Sequence, residues 1–261
     1  MKKLLSFTQA SSISLTDDWA HLPFQGDGSI VIENNKWGIS GGNVRGDKYT
    51  QSITPNGWSW EVSDTKVSSI AGYPEAIVGI KPWTSGQKPT EIWPIPVASL
   101  GSLSFDISFK VEAIGSYNTA AEWWYLKSPE MAPQNIVAEV MVWFNKSELD
   151  PFGEHAGACC IAGTEYDIYV GTVTHSAEVP GGWALISLVC KSPVYEGKVR
   201  VPVGEITEAL FSKRILNPET AQFLPGFEFG NEVKTSQGNT TLHELSMSTP
   251  PAKQSKAKFR S

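Results

Sequence analysis

The chain predicts an all-β fold: an antiparallel β-sandwich of jelly-roll type, two curved sheets with a concave face and one short helix. Three observations lead there. Residues 102–111, SLSFDISFKV, alternate without error, with Leu103, Phe105, Ile107, Phe109 and Val111 on one side and Ser104, Asp106, Ser108 and Lys110 on the other. That is a strand buried on one face and solvated on the other, as in the outer sheet of a sandwich. Further short apolar runs follow one another between Gly, Pro, Asn and Asp. A single segment, GEITEALFSKRIL at 204–216, has a helical stripe, formed by Val203, Ile206 and Leu210. One helix among ten or more strands specifies a jelly roll.

In chain order the remaining predicted strands are SIVIEN (29–34), KYTQSIT (48–54), WSWEVS (58–63), AIVGI (76–80), NTAAEWWYL (118–126), NIVAEVMVWFNK (135–146), EYDIYVGTV (165–173), WALISLVC (183–190), KVRVPV (198–203), FEFGNEV (227–233) and TTLHELSM (240–247). No repeat or linker divides them, so a single domain is expected over 1–251. The basic stretch 252–261 beyond Pro250-Pro251 is expected to be a disordered tail. With 41% apolar residues, 23 glycines and 17 prolines, the composition is that of an ordered, loop-rich protein.

Charge and cysteine usage narrow the function. A net charge of -6 disfavours nucleic acid and anionic lipid and suits a neutral or cationic ligand. Ten tryptophans exceed what packing asks, and indole faces stack on sugar rings. Cys159, Cys160 and Cys190 are odd in number, two of them adjacent, which implies buried core thiols rather than a disulfide framework. His21, His155, His175 and His243 lack metal-ligand spacing, and no metal is expected. No apolar run approaches the roughly 18 residues of a membrane span. The start, MKKLLSFTQASSISLTDDW, has the basic region of an export signal, but Ser, Thr and Gln break its apolar stretch.

Residues 135–146 pose the functional question. On that strand Ala138, Val140, Val142 and Phe144 share one side, fit for a core, while Glu139, Met141 and Trp143 share the other. A carboxylate between a thioether and an indole is too apolar for a solvated face and too charged for a sealed interior, so it reads as the floor of a groove. The same test places Glu122 beside Trp124 in 118–126, and Glu228 with Glu232 in 227–233. Each glutamate could instead be a structural partner of Arg or Lys. Cleavage of a glycosidic bond, however, needs two facing carboxyl groups, one protonated and one ionised, and strands of a concave sheet can supply both.

These residues resemble family 12 of the glycoside hydrolases, endo-β-1,4-glucanases with a jelly-roll fold. AEVMVWF (138–144) resembles the family's nucleophile strand and NNKWG (34–38) its substrate-binding motif. GYPEAIVGIKPW (72–83) is similar to its Tyr-Pro-Glu and Lys-Pro-Trp segment, and FGNEV (229–233) to its Phe-Gly-Thr-Glu acid/base motif, over a core of about 28–248. The resemblance implies that Glu139 is the nucleophile and Glu232 the general acid/base. It places Glu122 where an acid hydrogen-bonds the nucleophile, and gives Asn35 and Trp37 to the substrate. Asn231 departs from the common Thr. GFE at 226–228 resembles an alternative form that would make Glu228 the acid, but the preceding Phe-Gly favours Glu232.

Trp60, Trp83, Trp124, Met141 and Trp143 complete the candidate substrate contacts, with packing in the core or at the rim an equal alternative for Trp60 and Trp83. The expectation is a retaining endo-β-1,4-glucanase acting on cellulose-like, mixed-linkage or xyloglucan polymers, without cofactor, nucleic acid or membrane partner, as a monomer. Glu139 should be ionised and Glu232 protonated, with activity on the acidic side of neutrality. The resemblance implies secretion. The competing expectation is a non-catalytic carbohydrate-binding jelly roll, which would keep the tryptophans and need no carboxylate pair.

Overall fold

The computed structural model describes residues 13–83, 90–174 and 176–248; the first twelve residues of the candidate leader and the basic tail lie outside them. The strands are β1 (His21–Phe24), β2 (Asp27–Glu33), β3 (Tyr49–Thr54), β4 (Gly57–Val62), β5 (Glu75–Gly79), β6 (Ile95–Pro96), β7 (Ser104–Leu126), β8 (Ile136–Ser147), β9 (Glu154–Ile161), β10 (Thr164–Val173), β11 (Trp183–Cys190), β12 (Glu196–Val201), β13 (Phe223–Leu224), β14 (Gly226–Gly230) and β15 (Val233–Ser248). Two helices join them, α1 (Trp37–Ser40) and α2 (Val203–Ser212).

The strand β7 organises both layers. Its first half pairs with β12 and β15, and β15 continues the outer layer through β4 to β3. Its second half pairs with β14 and β8 inside a nine-strand layer ordered β1-β2-β5-β14-β7-β8-β11-β10-β9. Sequence reading separated this element into two strands, 102–111 and 118–126. The chain instead runs on through Gly115, whose positive φ of 89° and close approach to Ser236 only a glycine permits.

The alternating faces meet as the periodicity predicts. Phe105 and Phe109 of the outer layer pack on Phe227 and Phe229 of the inner one, with ring centroids 3.8 and 5.1 Å apart. Ala138, Val140, Val142 and Phe144 turn into this core. Met141 and Trp143 fall into a separate small cluster with Tyr73 and Ala120 on the opposite, concave side. Burial of Val203, Ile206 and Leu210 fixes α2 against the core.

Three sequence expectations need correction. FEFGNEV is two elements, because the chain leaves β14 at Gly230 and enters β15 at Val233. The strand β9, EHAGACCI, was not anticipated, since its small residues carry no alternating signal. Only Cys190 is a buried thiol; Cys159 is half-buried and Cys160 exposed, because β9 is an edge strand with one open face. Among the described residues no helix is long and apolar enough to cross a membrane.

Candidate active site

Strand register brings the acids together. One row crosses the concave sheet as Glu228, Glu122, Met141, Ser187 and Tyr169, each directly opposite the next on β14, β7, β8, β11 and β10. The adjacent row carries Trp124 on β7, Glu139 on β8 and Leu185 on β11. Glu139 is therefore one strand pair from Trp124 and one row from Glu122. Its Oε2 accepts a 2.8 Å hydrogen bond from Trp183 Nε1, and its side chain is buried.

Glu232 arrives from the break between β14 and β15, held on both sides. Asn118 Oδ1 accepts the Glu232 backbone N–H at 3.0 Å, and Asn118 Nδ2 donates to the Glu232 carboxylate. Next to it Asn231 is wholly buried and saturated with partners. Its Nδ2 donates to the Asn118 carbonyl and to Thr119 Oγ1, both at 2.9 Å, while its Oδ1 accepts from Trp58 Nε1 at 2.7 Å and Thr240 Oγ1 at 2.6 Å. A side-chain amide that donates and accepts in this way stops the strand and aims the following residue, which accounts for Asn at a position where Thr was expected.

Glu228 belongs to a different cluster. Trp124 Nε1 donates to it at 3.2 Å, and Lys81 Nζ lies 3.6 Å away. The same ammonium donates to Glu75 at 2.6 Å and Glu33 at 2.9 Å, and His21 pairs with Glu33 at 2.6 Å. Among the described residues no group of three or more His, Cys, Asp or Glu side chains is arranged to hold a metal ion; these three acids converge on Lys81.

Burial dominates the electrostatics. It pushes the Glu139 carboxyl up to about 8, against the Trp183 hydrogen bond and with the charges of Glu232 and Glu228 adding to the rise. It pushes Glu232 up to about 7, opposed by the Asn118 amide. Glu122 is raised well above the usual carboxylate range by burial and then by the charge of Glu139. Both shifts run upward, so burial favours the protonated form of each acid, which suits Glu232 as proton donor and works against an ionised Glu139. The physical reason is first the burial of Glu139 and then the like charges of Glu232 and Glu228. Glu33, by contrast, is drawn down to about 2: burial alone would raise it, but hydrogen bonds from His21 and Lys81 prevail.

The predicted contact residues divide. Trp83, Trp124 and Trp183 form a triangle of edge-on indoles with centroids 5.2, 5.4 and 5.9 Å apart, next to Glu139. Met141 and Trp143 line a cavity that also contains Glu232. Asn35 is buried and donates to Glu75 at 2.9 Å, and its Oδ1 accepts the Trp37 backbone N–H at 3.3 Å; Trp37 is half-buried. Trp60 is a correction. It lies in the core between the layers, 3% exposed, with its Nε1 on Ser236 and its ring against Tyr117. Sequence reasoning missed Trp183, Asn118 and Lys81 as site residues. Only long-range pairing brings them to the acids, although Lys81 and Glu75 stood in a quoted motif.

The sequence profile of glycosyl hydrolase family 12 matches residues 28–249. Endoglucanase S of Pectobacterium parmentieri is 24% identical over 246 residues, which cover 92% of this chain and 89% of that protein. The native family 12 xyloglucanase from Bacillus licheniformis superposes with a TM-score of 0.78 at 22% identity, over 91% of this chain and 100% of that one. Endoglucanase cel12A from Rhodothermus marinus gives a TM-score of 0.72 at 16% identity, over 92% and 99%.

Proposed function

The chain belongs to glycosyl hydrolase family 12, and from that premise we propose that it is a retaining endo-β-1,4-glucanase. Its substrates are the internal β-1,4 bonds of cellulose-like, mixed-linkage or xyloglucan polymers. The observation that carries this reading is the convergence on one concave face of Glu139 from β8, two residues from Met141, and of Glu232 from the β14–β15 break, which lines the same cavity as Met141. A carbohydrate-binding protein would have no use for two such acids in a cleft of indoles.

In the first step the Glu232 carboxyl gives its proton to the glycosidic oxygen as that bond to the anomeric carbon breaks. The Glu139 carboxylate forms a bond to the same carbon, giving a glycosyl ester. In the second step Glu232, now ionised, takes a proton from water; the water oxygen attacks the anomeric carbon, and Glu139 leaves as carboxylate. The productive arrangement has one proton on the pair, resting on Glu232. Positive charge developing on the sugar favours the ionised form of Glu139, and the Trp183 N–H supports it. The geometry required is a carboxyl separation of about 5–5.5 Å.

Both acids come from one chain, so a monomer suffices. A polymer substrate is met outside the cell, and secretion is part of this reading. Reducing-sugar release from carboxymethyl-cellulose, β-glucan and xyloglucan tests the reading. The native protein should act on at least one of them, with most turnover lost in Glu139→Gln and in Glu232→Gln; inactivity on all three would contradict it.

A further inference from the structure

The hydrogen bonds of Glu75 are lopsided. Its Oε1 accepts from Lys81 Nζ at 2.6 Å and from Asn35 Nδ2 at 2.9 Å, while its Oε2 accepts from nothing. The side chain has no surface open to solvent. A bare carboxylate oxygen is costly in such a place, whereas a carboxylic acid O–H at the same atom needs no donor because it is one.

An acceptor for that O–H is in place. Glu75 on β5 lies opposite Gly230 on β14, and Glu228 stands two residues back along β14 on the same face. Gly230 gives up its side chain there, since a Cβ would come within 2.9 Å of the Glu75 Cβ. Glu75 leans along β14 through this gap, and its carboxyl hydrogen-bonds that of Glu228. A hydrogen bond between two carboxyl groups requires one proton. Glu228 already accepts from Trp124 Nε1 at 3.2 Å through Oε1 and has Lys81 Nζ 3.6 Å from Oε2. Glu75 Oε2 is the oxygen still free to carry it.

Charge balance leads to the same atom. Facing the pair are His21 on β1, Glu33 on β2, Lys81 after β5 and Glu122 on β7, directly opposite Glu228. With Glu33, Glu75 and Glu228 all ionised, three negative charges would meet one ammonium and the His21 ring. One proton on the pair removes the excess. Burial raises the Glu75 carboxyl well above the usual carboxylate range, and the charges of Glu228 and Glu33 add to the rise against the pull of Lys81.

We propose that Glu75 is a neutral carboxylic acid that donates from Oε2 to Glu228, and that in this form it is a positioning residue for Asn35 and Trp37. Its Oε1 holds the Asn35 amide, and Asn35 Oδ1 in turn accepts the Trp37 backbone N–H at 3.3 Å. The same proton leaves one negative charge fewer beside Glu122. The positioning role rests on the glucanase reading; the place of the proton does not.

Glu75→Gln and Glu75→Leu test both parts. Gln keeps an N–H where the O–H stands and an oxygen for Lys81 and Asn35; Leu keeps neither. In infrared difference spectra at neutral pH, Glu75→Gln should lack one neutral-carboxyl carbonyl band of the native protein, and loss of a carboxylate band instead overturns the proposal. Stability carries the same sign. A carboxyl raised from 4.5 contributes stability that is present below 4.5 and lost as the pH rises toward its folded value. The urea midpoint of Glu75→Gln should therefore gain on the native protein as pH rises above 4.5; a variant that falls further behind, or does not fold, means that Glu75 is ionised. On soluble β-glucan Glu75→Leu should raise KM about tenfold with kcat changed less, and Glu75→Gln should restore it. An unmoved KM in the Leu variant removes the positioning role. A native protein inactive on β-glucan would remove the glucanase reading and that role with it, while the infrared and urea measurements still decide the proton.

Discussion

Asn118 grips Glu232 at two points, accepting its backbone N–H at 3.0 Å and donating to its carboxylate. The contact lowers the Glu232 pKa against burial. In Asn118→Ala the carboxyl should hold its proton to higher pH, and because Glu232 titrates below Glu139 the lower limb of the kcat/KM bell should move upward. The loss of aim should cost about ten- to a hundredfold in kcat. A pH–rate profile with an unmoved lower limb would remove the clamp from the account.

Trp183 acts on the other acid. Its N–H favours ionised Glu139, so Trp183→Phe should raise the Glu139 pKa further. The nucleophile must be ionised to attack, so the upper limb of the bell should shift to higher pH and kcat/KM at slightly acid pH should fall about tenfold. A shift of that limb toward lower pH would contradict the assigned role.

Lys81 is expected to matter for stability. Glu33, Glu75 and Glu228 surround it in a nearly water-free layer, and removing the ammonium strands their charge. Lys81→Met should lose about 3–5 kcal/mol near neutral pH, measured by urea unfolding. Glu33 has a folded pKa of about 2 against 4.5 unfolded. Its contribution is therefore present above 4.5 and disappears as pH falls through about 2. The gap between native and variant should narrow on acidification; a gap that widens would mean the network does not stabilise.

How much of this was legible depended on whether the signal is local. Alternation is local, and it put Glu139, Met141 and Trp143 on the face away from the core correctly. The same alternation in WSWEVS could not say that the outer layer turns Trp60 inward, because period two separates faces without telling which of them is covered. Trp183 was read as the start of a strand, but the parallel pairing of β11 with β8 that brings it to Glu139 spans 44 residues. Lys81 and Glu33 are 48 apart, and nothing in either segment names the other. Glu228 and Glu232 appeared on one face of a single strand; Asn231, through its four hydrogen bonds, breaks that strand and sends the two glutamates to different partners.

That separation predicts unequal variants. Glu232→Gln keeps shape but removes the proton donor, and should lower polymer turnover by about 10²–10⁴-fold. Glu228→Gln alters a carboxylate engaged with Trp124 and Lys81, and should keep more turnover while losing stability. Steady-state rates paired with thermal unfolding decide it, and a dead Glu228 variant beside an active Glu232 variant would reverse the acid assignment.

The central claim is that Glu139 attacks the anomeric carbon directly and is displaced by water that Glu232 activates. Two inversions at one carbon return the original configuration. Proton NMR of the first reducing ends released from a β-glucan, recorded before mutarotation, reads this directly. The account predicts that the β-anomer appears first and the α-anomer grows in later; an initial α-anomer would mean a single displacement by water and a wrong role for Glu139.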